Sequence, residues 1–337
     1  MKNLSILLVL TWAIFTSTLL GSDLISPVRR FGIDHLHDPG KLIANNGEVY
    51  VIESKLSHVG VFANDGSLLM FLGKSGEGPM EFKNLRFFTV SNKKIYCFDW
   101  SGYRFSVFSQ QDKKFLKYIS LNNTVYGSPP VRIAVHDDGT MVIFNNGFLK
   151  EHTLLALYAA DGTLLKRFFN AYPAYPSRSE FDESLKQKKP MNIDFYKNAG
   201  NIAIANKKIY FANYTENHVV EIGLDGKTLN RYPLPLPSHE KTARIVEMTG
   251  ANGNSSYLEN QLNYDLKAVN NTIYTLCRDN GLSYICCLVK GTFKEVCRMK
   301  ESLFTFDIMD GKIFAIEDES EDEDKSPEVL VYDLPKN

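Results

Sequence analysis

Cysteine is scarce in this chain of 337 residues, with five in all: Cys97, Cys277, Cys286, Cys287 and Cys297. So thin and odd a set excludes a disulfide-framed scaffold. There is no Cys-x-x-Cys, and Cys286 and Cys287 point to opposite faces of a strand, so no zinc site is read from them. A Cys286–Cys297 bridge across neighbouring strands and free buried thiols stay open as alternatives. An excess of one charge sign is also missing. The 38 Lys+Arg against 39 Asp+Glu leave a formal charge of −1, without the basic surplus of a general nucleic-acid binder. No G-x-S-x-G, H-E-x-x-H or dinucleotide fingerprint occurs. Past the first two dozen residues no apolar run is long enough to cross a bilayer, so no membrane span is expected in the mature chain.

Aromatic residues, by contrast, are plentiful. The 22 Phe, 17 Tyr and 2 Trp make up 12% of the chain, which favours pleated, half-buried β structure. The first residues, MKNLSILLVLTWAIFTSTLLGSD, have the form of an export signal: Lys2, an apolar core from Leu4 to Phe15, then small residues. Cleavage near Gly21 divides the chain into a signal peptide (1–21) and a mature, secreted or periplasmic domain (22–337). An uncleaved anchor is the alternative. A lipid anchor would need Cys where Ser22 stands.

A repeat runs through the mature chain. Asn46-Gly47, Asn92-Lys93, Asp138-Gly139, Asn206-Lys207, Asn270-Asn271 and Asp310-Gly311 each precede a strand-like run: EVYVIE, KIYCFD, TMVIFN, KIYFAN, TIYTLC and KIFAIE. A second set of turn pairs follows about twenty residues later: Asp65-Gly66, Gln111-Asp112, Asp161-Gly162, Asp225-Gly226 and Lys290-Gly291. Such pairs supply the positive φ that tight hairpins need. Each unit is therefore four short antiparallel strands, and six units make an all-β, six-bladed β-propeller. The sixth unit lacks its outer strand. Residues 24–32 (LISPVRRFG) resemble the outer strands of other units and are expected to close the last blade, hiding its edge.

The run GKSGEGPMEF (73–82), continuing into KIYCFDWSGYRFSVFS (94–109), resembles the G-x-x-G-x-G-P-x-E-F linker of exported bacterial six-bladed propellers related to NHL-repeat and TolB-like proteins. The resemblance implies an extracytoplasmic binding or scaffold role and no particular reaction. The same run is not a phosphate loop, because Leu68 stands where a Walker motif needs its first Gly.

In a propeller, the links between blades and the loops joining second to third strands share one face. Two links are long, 171–199 and 236–263, the second with a short helix expected from about 239 to 248 behind Ser238. They are expected to lid one mouth of the channel and to present Tyr172, Tyr175, Arg178, Phe181 and Tyr196 to a protein, peptide or glycan ligand. Asn84, Arg132, Asn201, Asp265 and Asp38 precede innermost strands and can point into the channel. Calcium lactonases on six-bladed propellers use acids and amides in such places, and a propeller lyase uses channel histidines and zinc. His35, His37 and His218 offer only a partial set, so no catalytic residue, metal or cofactor is assigned. A metal-dependent hydrolase or lyase is the alternative to a binding propeller. The block EDESEDED (317–324) reads as a solvated acidic loop on the lidded mouth. A monomer is expected.

Overall fold

Turn chemistry sets the architecture. At Asn46-Gly47, Asn92-Lys93, Asn206-Lys207, Asn270-Asn271 and Asp310-Gly311 both central residues have positive φ, as a two-residue hairpin following strand twist requires. At Asp65-Gly66, Asp161-Gly162 and Asp225-Gly226 only the glycine does. There the aspartate Oδ1 accepts the N–H two residues on, from Ser67 at 2.9 Å, Thr163 at 2.9 Å and Lys227 at 3.1 Å.

A computed structural model describes residues 24–335 except 54, 79, 122–129, 146, 148–151, 173–176, 188–195, 236–243, 251–252, 260, 262, 280 and 318–325. The signal-peptide reading and the acidic block beyond Glu317 thus lie outside the described residues. Six antiparallel sheets follow one another along the chain. Their first strands are Pro39–Asn45, Leu85–Ser91, Pro130–Val135, Gly200–Ala205, Asp265–Val269 and Leu303–Met309. Each first strand touches those of the blades before and after it, and Leu303–Met309 meets Pro39–Asn45, so the ring is closed. The chain is a six-bladed β-propeller with its first strands around a central channel.

The core is six separate apolar layers, one between each pair of adjacent blades. Tyr50, Phe82, Phe88 and Phe108 fill the first, for example, and Phe306, Leu330 and Tyr332 help to fill the layer between blades five and six. This explains why the strands are apolar on both faces and rich in rings.

Blade six is completed from the N-terminus. Arg29–Phe31 pairs antiparallel with the final strand Val329–Asp333, as expected, but the segment does not do so along its whole length. Leu24–Ile25 instead adds a parallel edge to blade five, opposite Arg298 and Met299. Pro27 lies between the two pairings, where its missing N–H costs nothing. One sequence expectation is corrected. Residues 244–248 are not helical: Arg244–Gly250 is a strand paired with Gly253–Glu259. Ile245, Val246 and Thr249 disfavour helix, and glycines at both inner ends of the pairing favour a hairpin. A helix stands in the other long link, Arg178–Lys186. Ser177 Oγ accepts the Glu180 N–H at 3.3 Å, and Ser177-x-x-Glu180 has the spacing of a capping box.

The linker 73–82 is a structural joint. Glu81 Oε2 accepts the N–H groups of Gly78 (2.9 Å) and Glu77 (3.0 Å), and Lys74 stands 3.2 Å from the same carboxylate. Those partners, Gly78 first, hold the Glu81 carboxyl below its usual range. The five cysteines are free and buried. Cys286 lies opposite Glu295 and Cys297 opposite Ile285, with a register shift between them.

Candidate functional site in the central channel

The first strands carry charged residues inside otherwise apolar runs, PGKLIAN, DLKAV and LFTFDIM. Side chains that alternate away from the inter-blade layers meet on the axis, and charge is tolerated there only if paired or wet. Lys41 Nζ lies 3.7 Å from Asp265 Oδ1, and Lys267 Nζ lies 3.3 Å from Asp265 Oδ2. Lys267 also donates to the Leu42 carbonyl at 2.8 Å. Asp265 is further held by the Leu266 N–H (2.9 Å) and the Thr305 hydroxyl (2.7 Å). Asp307 accepts N–H groups on both oxygens, from Ala44 (3.0 Å) and Ile308 (2.8 Å).

A polar chain continues around the ring. Arg132 donates through Nε to Asn201 Oδ1 at 3.4 Å and through Nη2 to the Tyr214 hydroxyl at 3.2 Å. Asn201 donates to Asn263 Oδ1 (3.1 Å) and to the Tyr264 carbonyl (3.0 Å), next to Asp265. Blades three, four, five, six and one are thus joined by polar contacts. Of the residues singled out in the sequence, the structure brings Arg132, Asn201 and Asp265 into this one network. The sequence reading missed Lys41, Lys267 and Asp307. The signal for them was a charge at an interior position of a first strand.

Electrostatics single out Lys41. Burial first, then Lys267, with Arg132 adding, pushes its amine down to about 7 against the pull of Asp265 and Asp307. Burial also raises the Asp307 carboxyl, which Lys267 opposes. Burial would raise Asp265 as well, but Lys267, Lys41 and its hydrogen bonds outweigh it and hold that carboxyl low. Among the described residues Lys41 makes no hydrogen bond, so its three donors are unspent.

A cavity of about 400 Å³ occupies the channel beside these groups. First-strand residues of all six blades line it, and it reaches the turns that end those strands, at Asn92, Asp137, Asn206 and Asn270. Its size falls within the roughly 300–1,000 Å³ of small-molecule sites.

The other expected site residues lie elsewhere. Tyr172 is exposed at the rim of blade three, where its N–H donates to Asn198 Oδ1 at 2.7 Å and its hydroxyl to Glu216 at 2.9 Å. Lys197 lies 5.6 Å from its ring centroid. Tyr196 is half-buried at the end of the same link. Arg178 and Phe181 belong to the helix Arg178–Lys186, and Tyr175 lies outside the described residues. Asn84 serves the blade link: its N–H donates to Asp99 Oδ1 at 3.1 Å. Glu53 does the same for blade one, accepting from the N–H groups of His37 (3.2 Å) and Asp38 (3.0 Å). Among the described residues no three His, Cys, Asp or Glu side chains are grouped to hold a metal.

No family model and no curated protein matches the chain. Solved structures do. One is a member of the DUF4221 family from Bacteroides vulgatus, 8% identical, with a TM-score of 0.53 over 94% of this chain and 97% of that one. Another is an exported protein of Bacteroides fragilis, 13% identical, TM-score 0.52, covering 94% and 92%. A third is a catalytically inactive virginiamycin B lyase from Staphylococcus aureus with quinupristin, 12% identical, TM-score 0.51, covering 89% and 82%. At these identities the likeness shows the propeller fold alone.

Proposed function

We propose that this chain is an extracytoplasmic binding propeller that takes a small ligand in its central channel. The observation that carries the reading is the cavity of about 400 Å³ walled by the first strands of all six blades, with buried charges at its side. Six rigid sheets fix its walls, so a ligand meets a pre-formed site and little ordering cost. The export reading is supported by the sequence of residues 1–21 and by the exported Bacteroides fragilis neighbour. No described helix is long and apolar enough to cross a membrane. The rim around Tyr172 belongs to the opposite face and is the rival docking place.

A thermal-shift screen of a small-molecule library separates the two. Ala268 lines the cavity near its turn-side end and is exposed, so Ala268→Trp obstructs the channel without disturbing a core layer. Hits on the wild type should vanish in Ala268→Trp and persist in Tyr172→Ala. The reverse pattern would move the site to the rim.

A further inference from the structure

We propose that the channel binds the carboxylate of a small monoanion, and that Lys41 Nζ receives that carboxylate. The inference rests on the channel being the binding site and names the ligand class it takes. Five charged groups cluster at one side of the cavity, Lys41, Lys267, Arg132, Asp265 and Asp307, and Asp137 lines its turn-side end. Four of them make hydrogen bonds to the protein. Lys267 donates to Leu42, and Arg132 to Val131, Asn201 and Tyr214. Asp265 accepts from Leu266 and Thr305, and Asp307 from Ala44 and Ile308. Lys41 alone of the five makes no hydrogen bond among the described residues, and it lines the cavity. A half-buried ammonium that makes no hydrogen bond is poorly satisfied, and a ligand carboxylate supplies acceptors.

Charge and lining choose the class. Around Lys41 three cations face two acids, an excess of one, while Asp137 lines the cavity at its turn-side end. One negative charge balances the site. A phosphate dianion would overshoot and meet Asp265 and Asp307 in the same space. Beyond the charges the exposed lining is mostly polar, because the side chains of Ile43, Val90, Ile133 and Ile202 are buried in the layers between blades, so the rest of the ligand can carry polar groups.

The test is isothermal titration with hexanoate, benzoate and indole-3-acetate, each against its neutral amide, and with inorganic phosphate. The proteins are the wild type, Lys41→Met, Lys41→Arg and Ala268→Trp, each checked for β structure by circular dichroism. At least one carboxylate should bind the wild type at pH 6, at least tenfold tighter than its amide. Lys41→Met should lose at least tenfold of that affinity, Lys41→Arg should keep more of it, and Ala268→Trp should lose binding. Affinity should weaken above pH 7, toward tenfold per unit, as Lys41 loses its proton beside Lys267, Arg132, Asp265 and Asp307. Amides that bind as well as acids, in the wild type and not in Ala268→Trp, would overturn the anion inference and leave the channel reading standing. Carboxylates that bind all four proteins equally would overturn both. Preference for phosphate, or no response to any carboxylate, would overturn the inference.

Discussion

Lys41 and Asp265 stand 3.7 Å apart, although blade six separates their blades around the ring. The contact crosses the channel wall and puts an ammonium beside a carboxylate that Lys267 already neutralises. That crowding makes Lys41 a strained charge and gives the channel its chemical character.

The strain has a pH signature. The Lys41 amine falls from 10.5 to about 7 on folding, so its charged form opposes the folded state. Below pH 7 the folded chain carries the full penalty. Between pH 7 and 10.5 the unfolded chain binds the extra proton, so stability rises with pH and the penalty fades. Lys41→Met should therefore raise Tm most at pH 6, and the gain should shrink by pH 9. A gain that grows with pH would contradict the assignment.

Ring closure depends on a short N-terminal strand. Arg29, Arg30 and Phe31 pair with the final strand, the Val28 N–H donates to the Val331 carbonyl at 2.7 Å, and the Phe31 ring lies 5.4 Å from that of Phe62. Deleting 24–32 should bare the edge Val329–Asp333, lower Tm sharply and promote aggregation. Phe31→Ala alone, at a half-buried ring, should cost about 2–3 kcal/mol in urea unfolding. An unchanged Tm for the deletion would contradict the closure.

Two glycines isolate packing from backbone strain. Gly47 and Gly73 both have positive φ, 78° and 89°. A Cβ at Gly47 meets nothing within 4 Å, whereas at Gly73 it would fall 2.2 Å from the Phe82 ring. Gly47→Ala should cost about 1 kcal/mol and Gly73→Ala about 2–4 kcal/mol, read from urea midpoints at unchanged slope. Equal costs would show that Phe82 yields freely.

The thiols should be inert while the chain is folded. Burial pushes Cys297 up to about 12 and raises Cys97 and Cys287, while a hydrogen bond with Cys277, then burial, raises Cys286. Only thiolates react quickly with disulfide reagents. At pH 8 the native protein should show no fast-reacting thiol, and the urea-unfolded protein all five. Rapid labelling of the native chain would contradict the buried placement.

The fold was legible because its information is local. Asn46-Gly47, Asp65-Gly66 and their counterparts specify hairpins by φ alone, and their spacing counts the blades. The helix at 178–186 was missed although Ser177 and Glu180 stand at capping-box spacing, since the surrounding Pro, Tyr and Lys read as loop. The hairpin 244–259 was misread because Ser238 suggested a cap and outweighed the β-branched run that followed. The site was legible in part. Arg132, Asn201 and Asp265, expected just before first strands, were placed at the axis by topology, although each lies within its first strand. Lys41, Lys267 and Asp307 lie inside first strands, and only the joining of distant blades shows that they share one space. A single lysine in a strand carries no such mark.

The most direct test of the channel as the binding site is a crystal structure of the protein soaked with indole-3-acetate. Density for the ligand should fill the cavity beside Lys41, Lys267 and Asp307, with its carboxylate within hydrogen-bonding distance of Lys41 Nζ. Ligand density at the Tyr172 rim with the cavity empty would contradict the account.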